Sequence, residues 1–144
     1  VIALSPLTTA EEWTWIHSRA HPILCGDTCG MVARNARGII VAIVLFDSFT
    51  PVACNVHMAI ESPMVLRHGF FESIAHYTFI ERNRQRLFGL VPSTNEKALK
   101  LNYHLGMKHI ATIPNALEDG VHYEVLGLEK SECRWLPERM REAA

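Results

Sequence analysis

Two groups of side chains in this 144-residue chain have types and spacings suited to chemistry. The first lies on the segment Ala53-Cys54-Asn55-Val56-His57-Met58-Ala59-Ile60, which Glu61 follows. Histidine is the side-chain type that takes up and releases protons near neutrality, which singles out His57. Strand alternation puts it on one face with Asn55 and Ala59, opposite Met58 and Ile60. A half-buried histidine bonded to its neighbours fits the same position, and the spacing leaves both readings open. The second group is metal-like: Cys25-x-x-x-Cys29 is half of a zinc pattern, and His17 and His21 stand four apart on a predicted helix. No second Cys or His pair follows at a finger-like spacing, and the Glu of a zinc-protease helix is missing. No metal is therefore expected, and these histidines are read as surface residues.

The elements that must position such groups belong to one domain. With 49% hydrophobic and 20% charged residues, the chain can bury a single core and contains no linker-like or low-complexity tract. A formal charge of −1 provides no positive field for phosphate backbones or anionic lipid, which argues against nucleic acid and membrane as partners. The longest apolar run, Ile39 to Phe46, is too short to span a bilayer, and no signal peptide opens the chain. A soluble cytoplasmic protein is expected. The even cysteine count would permit disulfides, but a core of this size needs none.

Val1 to Leu4 reads as an edge strand, and Thr8-Thr9-Ala10-Glu11-Glu12 as the capped start of a helix carrying Trp13, Trp15 and Ile16 and ending by His21, ahead of Pro22. Ile23 to Gly30 reads as a loop. Met31 to Ala33, Ile39 to Phe46 and Ala53 to Ile60 form a meander, its middle strand apolar on both faces and hence central. Gly69 to Arg82 reads as a helix, Leu87 to Val91 as a buried strand, and Ser93-Thr94-Asn95-Glu96 as a capping box for a helix that Gly106 stops. Met107 to Ile113 and His122 to Leu128 pair as a hairpin around Asp119-Gly120, and a charged terminal segment, Ser131 to Ala144, follows.

Within this order, Asn95-x-x-Ala98-x-x-Leu101-Asn102-x-x-Leu105-Gly106-Met107 resembles the N-x-x-A-x-x-L-Y-x-x-L-G-F motif of the GNAT superfamily of acyl-CoA-dependent N-acetyltransferases. The element order extends the resemblance over nearly the whole chain. Ser131-Glu132-Cys133-Arg134-Trp135-Leu136 is similar to the ending of acetyltransferase-like proteins of bacteriophages and bacteria. The resemblance implies an α/β (α+β) GNAT fold, a central mixed and mostly antiparallel sheet of six to seven strands flanked by helices. It also implies an acetyl-CoA cosubstrate and an amine acceptor, either a small molecule or a protein. A homodimer fits the family, although no residue demands one.

In such a fold the pantetheine arm binds as an extra strand between the splayed fourth and fifth strands, which assigns Met58, Ala59 and Ile60 to the cofactor. The pyrophosphate sits at a helix N-terminus, where free amides and the helix dipole favour negative charge. The family loop Q/R-x-x-G-x-G/A falls on Leu66 to Phe71, so that Arg67, His68, Gly69, Phe70 and Phe71 would surround it. Gly69 matches that pattern, whereas Phe71 replaces a small residue. Asn95, Ala98 and Asn102 complete the cofactor set. Asn102 stands where the family has its general-acid Tyr, and the adjacent Tyr103 is turned about 100° around the helix. A Tyr103 role in packing or at the surface, and an Asn102 role in holding the cofactor or a protonating water, are the readings that follow. For the base, the resemblance points to His57, to Asn55 through a water, or to Glu61. The acceptor side would be shaped by the first helix, the loop after it and the last hairpin, with Trp13, Trp15 and His21 as either lining or core. A GNAT-fold module that binds CoA or a protein partner without turnover, and an assembly protein using an open strand edge, are the alternatives to an enzyme.

Overall fold

The structure, a computed structural model, describes residues 2–20, 22 and 25–142. Its elements run β1 (Ala3–Pro6), α1 (Ala10–Ala20), β2 (Cys29–Arg34), β3 (Ile40–Asp47), β4 (Ala53–Ile60), α2 (Phe70–Ala75), β5 (Arg86–Pro92), α3 (Glu96–Leu105), β6 (Lys108–Glu118), β7 (Val121–Glu129) and α4 (Glu138–Arg141). A wider π-helical stretch, His76–Glu81, extends α2. The strands form one seven-stranded sheet in the order β1-β2-β3-β4-β5-β7-β6. Every neighbouring pair is antiparallel except β4 and β5, which are parallel. This is the α+β architecture expected from the sequence.

β3 is buried along its entire length, as its apolar run Ile40 to Phe46 requires, and the burial extends to Asp47 at its end. Val44 and Phe46 face the larger core, which α2 and α3 cover with Phe70, Phe71, Ile74 and Leu105. Ile43 and Leu45 face a smaller core beneath α1, closed by Ile16 with Trp13 and Trp15 packed at its margin. The two tryptophans are half-buried and packed against this core, while His21 lies outside the described residues. Complete burial of a side chain such as Ile16 or Phe79 contributes on the order of 2–3 kcal/mol.

The expected boundaries shift in two informative places. The segment Ile23 to Gly30 is not loop throughout: Cys29 and Gly30 already pair with Phe46 and Leu45 of β3. The helix after β5 is capped by Asn95 and not by Ser93, since the Asn95 side chain accepts from the Ala98 amide at 3.1 Å. Ser93 is taken by β7 instead, its amide donating to the His122 carbonyl and its hydroxyl accepting from the His122 amide. Gly106 ends the helix at φ 105°, a left-handed conformation that glycine adopts without strain.

At the other end of the chain, a reciprocal cap opens α1. The Glu12 carboxylate accepts from the Thr8 and Thr9 amides at 2.8 and 2.9 Å, while the Glu12 amide donates to the Thr9 hydroxyl. Burial pulls the Glu12 carboxyl upward, but the two amides and the Arg34 guanidinium pull it further down, so it lies below the ordinary carboxylate value of 4.5. A carboxyl depressed in the folded state stabilises the protein at higher pH, and that contribution is lost as pH falls through the native value. Glu12→Gln should therefore lower stability by about 1–2 kcal/mol at pH 7. The difference from wild type should shrink as urea unfolding is repeated below about pH 4.5.

Candidate functional site

β4 and β5 share three rungs, Ala53 with Arg86, Cys54 with Leu87 and Asn55 with Phe88, and then separate. Beyond that point β4 continues beside β3 as far as the Ala42–Ile60 rung, while β5 follows β7 to the Pro92–Tyr123 rung. The backbone of Val56 to Ile60 therefore lines a notch in the middle of the sheet. A cleft of about 560 Å³ opens there, walled by Met58, Ala59 and Ile60 on one side and Asn95, Ala98 and Leu101 on the other.

Several of its walls were not singled out in the sequence. Lys97, Lys100 and His104 project from α3, and Arg19 closes one end through a 2.6 Å ion pair to Glu61, a candidate base from the sequence. Arg19 also stacks at 4.0 Å over the Trp15 ring. Helical spacing carries the α3 signal, since residues 97, 100, 101 and 104 follow the three- and four-residue periodicity of the face that holds Ala98. The Arg19–Glu61 pair has no such signal, because it links residues 42 apart in sequence.

Below the cleft, Ser62 caps a short 3₁₀ turn, Pro63–Arg67, that leads to α2. Gly69 precedes α2 at φ 80°, where a side chain would be strained. Arg67 and His68 are exposed on this turn, and their side chains make no hydrogen bond or ion pair to the described residues. Phe70 and Phe71 are buried, so they offer only their backbone amides to this end of the cleft. The Phe71 ring lies edge-on to Trp135 at 5.1 Å and 6.1 Å from the His104 ring, and Trp135 donates to the Leu105 carbonyl at 2.7 Å. The bulk of Phe71 thus ties α2 to α3 and the terminal segment, and none of it enters the space before the helix.

The two residues at the motif's tyrosine position part company. Asn102 is buried, its side-chain amide donates back to the Ala98 carbonyl at 2.8 Å, and it packs under Gly89 of β5 away from the cleft wall. Tyr103 is 47% exposed on the outer face of α3. His57 stands one residue before Met58 but on the opposite face of β4, with Ala59 and the α1 core. Its Nε2 is 2.9 Å from Asp47 Oδ2 and 3.2 Å from Asn55 Nδ2. Burial pushes the Cys54 thiol at the foot of β4 up to about 12, and it raises the Cys133 thiol as well, so both stay protonated near neutrality. Among the described residues, no three His, Cys, Asp or Glu side chains gather as metal ligands would.

No family model matches the chain, and no curated protein matches it in sequence. Solved structures do match. A mutant form of the spermidine/spermine N-acetyltransferase SpeG from Vibrio cholerae is 12% identical, with 99% of this chain and 100% of that chain covered at a TM-score of 0.75. The same enzyme in complex with CoA and spermine is 13% identical, with 91% and 96% covered at a TM-score of 0.68. A protein named for phosphinothricin N-acetyltransferase activity is 16% identical, with 90% and 98% covered at a TM-score of 0.65. The fold is that of the GNAT acetyltransferases, as the resemblance around Asn95 to Met107 implied.

Phe71→Ala should cost about 3–5 kcal/mol in denaturant unfolding, the range for emptying a buried aromatic site. Phe71→Leu, which keeps most of the volume, should cost less than about 1.5 kcal/mol.

Proposed function

We propose that this chain is an acetyl-CoA-dependent N-acetyltransferase that moves an acetyl group to an amine by direct attack, with both substrates bound together. The observation that carries the reading is the parting of β4 from β5 at Asn55 and Phe88. It leaves strand-edge amides and carbonyls facing a cleft, and an amide-studded pantetheine arm satisfies such an edge as an added strand would.

Met58, Ala59 and Ile60 would hold that arm, with Asn95 and Ala98 opposite. The amides of Gly69, Phe70 and Phe71, with Arg67 and His68 beside them, would face the pyrophosphate. Lys97 and Lys100 add positive charge along the cleft. When bound, acetyl-CoA supplies an activated acyl carbon at the apex of the notch. Cys54 and Cys133, held as thiols, do not offer a covalent relay, which supports direct transfer. His57 at the apex is the base, taking the proton that the acceptor nitrogen must lose. The acceptor class is an amine; spermidine and spermine, named for the neighbouring structures, head the compounds to test.

One observation favours a second reading, a module that binds CoA and turns over slowly or not at all. Asn102 is spent on its own helix and Tyr103 faces outward, so neither offers a proton to the leaving sulfur. Loss of a positioned acid typically lowers a rate by about 10²- to 10⁴-fold. A second copy of the chain is a fitting partner, because β6 is an eleven-residue edge strand exposed along its whole length. No described helix is long and apolar enough to cross a membrane.

Thermal unfolding with excess acetyl-CoA tests the slot directly. At a hundred times the dissociation constant, stability should rise by about 2.7 kcal/mol, roughly 8 °C in Tm for a domain of this size. No shift at millimolar acetyl-CoA would sink both readings. A shift with no thiol release in the presence of any amine would leave the binding module.

The helix start carries one opposing charge. A Cβ placed on Gly69 would come within 4.0 Å of Glu72 Oε2, so this carboxylate lies beside the helix start that the pyrophosphate would face. Glu72→Gln should tighten acetyl-CoA binding about fivefold in titration calorimetry, equivalent to about 1 kcal/mol of relieved repulsion. An unchanged or weaker affinity would place the phosphates elsewhere.

A further inference from the structure

Asp47 is 2% exposed, yet no Lys or Arg reaches it, and no salt bridge to a permanent cation appears for it among the described residues. A buried carboxylate without a cation is costly and calls for a reason beyond stability. Its partners are specific: Oδ1 accepts from the Ser48 hydroxyl at 3.0 Å, and Oδ2 lies 2.9 Å from His57 Nε2. The turn that follows is itself pinned, with the Ser48 and Phe49 amides donating to the Asp27 carboxylate. Ser48 takes a left-handed φ of 52°, a conformation a non-glycine residue holds only when its surroundings impose it.

We propose that Asp47 is a positioning residue that fixes His57 in one tautomer and one orientation, leaving Nδ1 as the proton acceptor for the incoming amine. The proposal rests on the acetyltransferase reading. An ionised carboxylate can only accept, so a bond at 2.9 Å requires the proton on Nε2. The Asn55 amide nitrogen stands 3.2 Å from the same Nε2, a donor facing a donor in this tautomer; because Asn55 Oδ1 is buried without a partner, a half-turn of the amide both removes that conflict and turns the oxygen to the Nε2–H. Nδ1 makes no hydrogen bond to any described residue, so no protein donor competes for its lone pair. Charged groups of α1 are engaged elsewhere, Glu12 with Arg34 at 3.1 Å, Glu11 with Arg34 at 3.8 Å and Arg19 with Glu61 at 2.6 Å.

The position suits the task. His57 lies two residues beyond the last shared rung of β4 and β5, at the apex of the notch. It lies on the face opposite α2 and α3, beside the α1 core, with 22% of its side chain exposed, so an acceptor reaching it there would not cross the cofactor's path. Nδ1 takes the proton that the acceptor nitrogen gives up as the new C–N bond forms and the thioester C–S bond breaks, and water protonates the departing sulfur. Asp47 touches neither substrate.

Nitrogen-15 NMR of the imidazole in the wild-type protein should show His57 with its proton on Nε2 when neutral. Asp47→Asn keeps the shape; with Ser48 still donating to the remaining oxygen, the new amide presents its NH₂ to His57 and drives the proton to Nδ1. The variant should retain the wild-type KM for acetyl-CoA and lose roughly 10²-fold or more in kcat. A wild-type proton on Nδ1, or a folded variant with kcat within threefold of wild type, would overturn the proposal. If Asp47→Asn fails to fold, the wild-type tautomer still decides. If the wild type itself acetylates no amine while binding acetyl-CoA, the acetyltransferase reading falls and this inference with it, a failure seen in the control and not in the variant.

Discussion

Backbone hydrogen bonding across the middle of the sheet is the constraint on which the remaining arrangement depends. β4 is bound to β3 and β5 to β7 over most of their lengths, whereas β4 and β5 share three rungs. Each strand follows its committed partner, and the right-handed twist of the two half-sheets carries them apart. The groups left facing the gap are amides and carbonyls that need partners. A strand-like ligand satisfies them without the penalty that a fully closed sheet would incur in opening. The cleft is thus an unfinished piece of secondary structure between two finished ones.

Its surroundings divide the work between the two faces. On one face α2 and α3 cover the larger core, and their junction is made by rings: Phe71, Trp135 and His104 in mutual contact, with the terminal segment folded over them. That contact sets the distance between the start of α2 and the cleft side of α3, the two walls between which a long cofactor would lie. On the other face α1 covers the β2–β4 half of the sheet and leaves the polar group Asp47–His57–Asn55 at its margin. On the proposed acetyltransferase reading, a ligand along α2 and α3 and an acceptor beside α1 would meet at the notch from opposite sides. This geometry asks nothing of the buried thiols.

The motif from Asn95 to Gly106 was legible because it combines two local requirements, a capped start and a left-handed stop, with one helical face of small and apolar residues. Even there the cap fell on Asn95, since Ser93 found partners 29 residues away in β7. Phe71 shows the opposite limit. Laid against the family loop it is a bulky ring in place of a small residue, and in the fold that ring is turned into the core, where it packs against Trp135 and His104. Sequence spacing locates a residue along a helix; the direction of its side chain depends on what the helix packs against.

By itself, the sequence determined the order of strands and helices along the chain and the family likeness, because alternation, caps, glycine stops and apolar runs act over a few neighbouring residues. Tertiary structure alone decided that β4 and β5 part at Asn55, that Asn102 turns back on its helix, that Arg19 meets Glu61 and that Asp47 meets His57. Each of these depends on how strands twist and pair or on contacts between residues far apart in the chain, and no local pattern records which distant groups the fold will bring within hydrogen-bond distance.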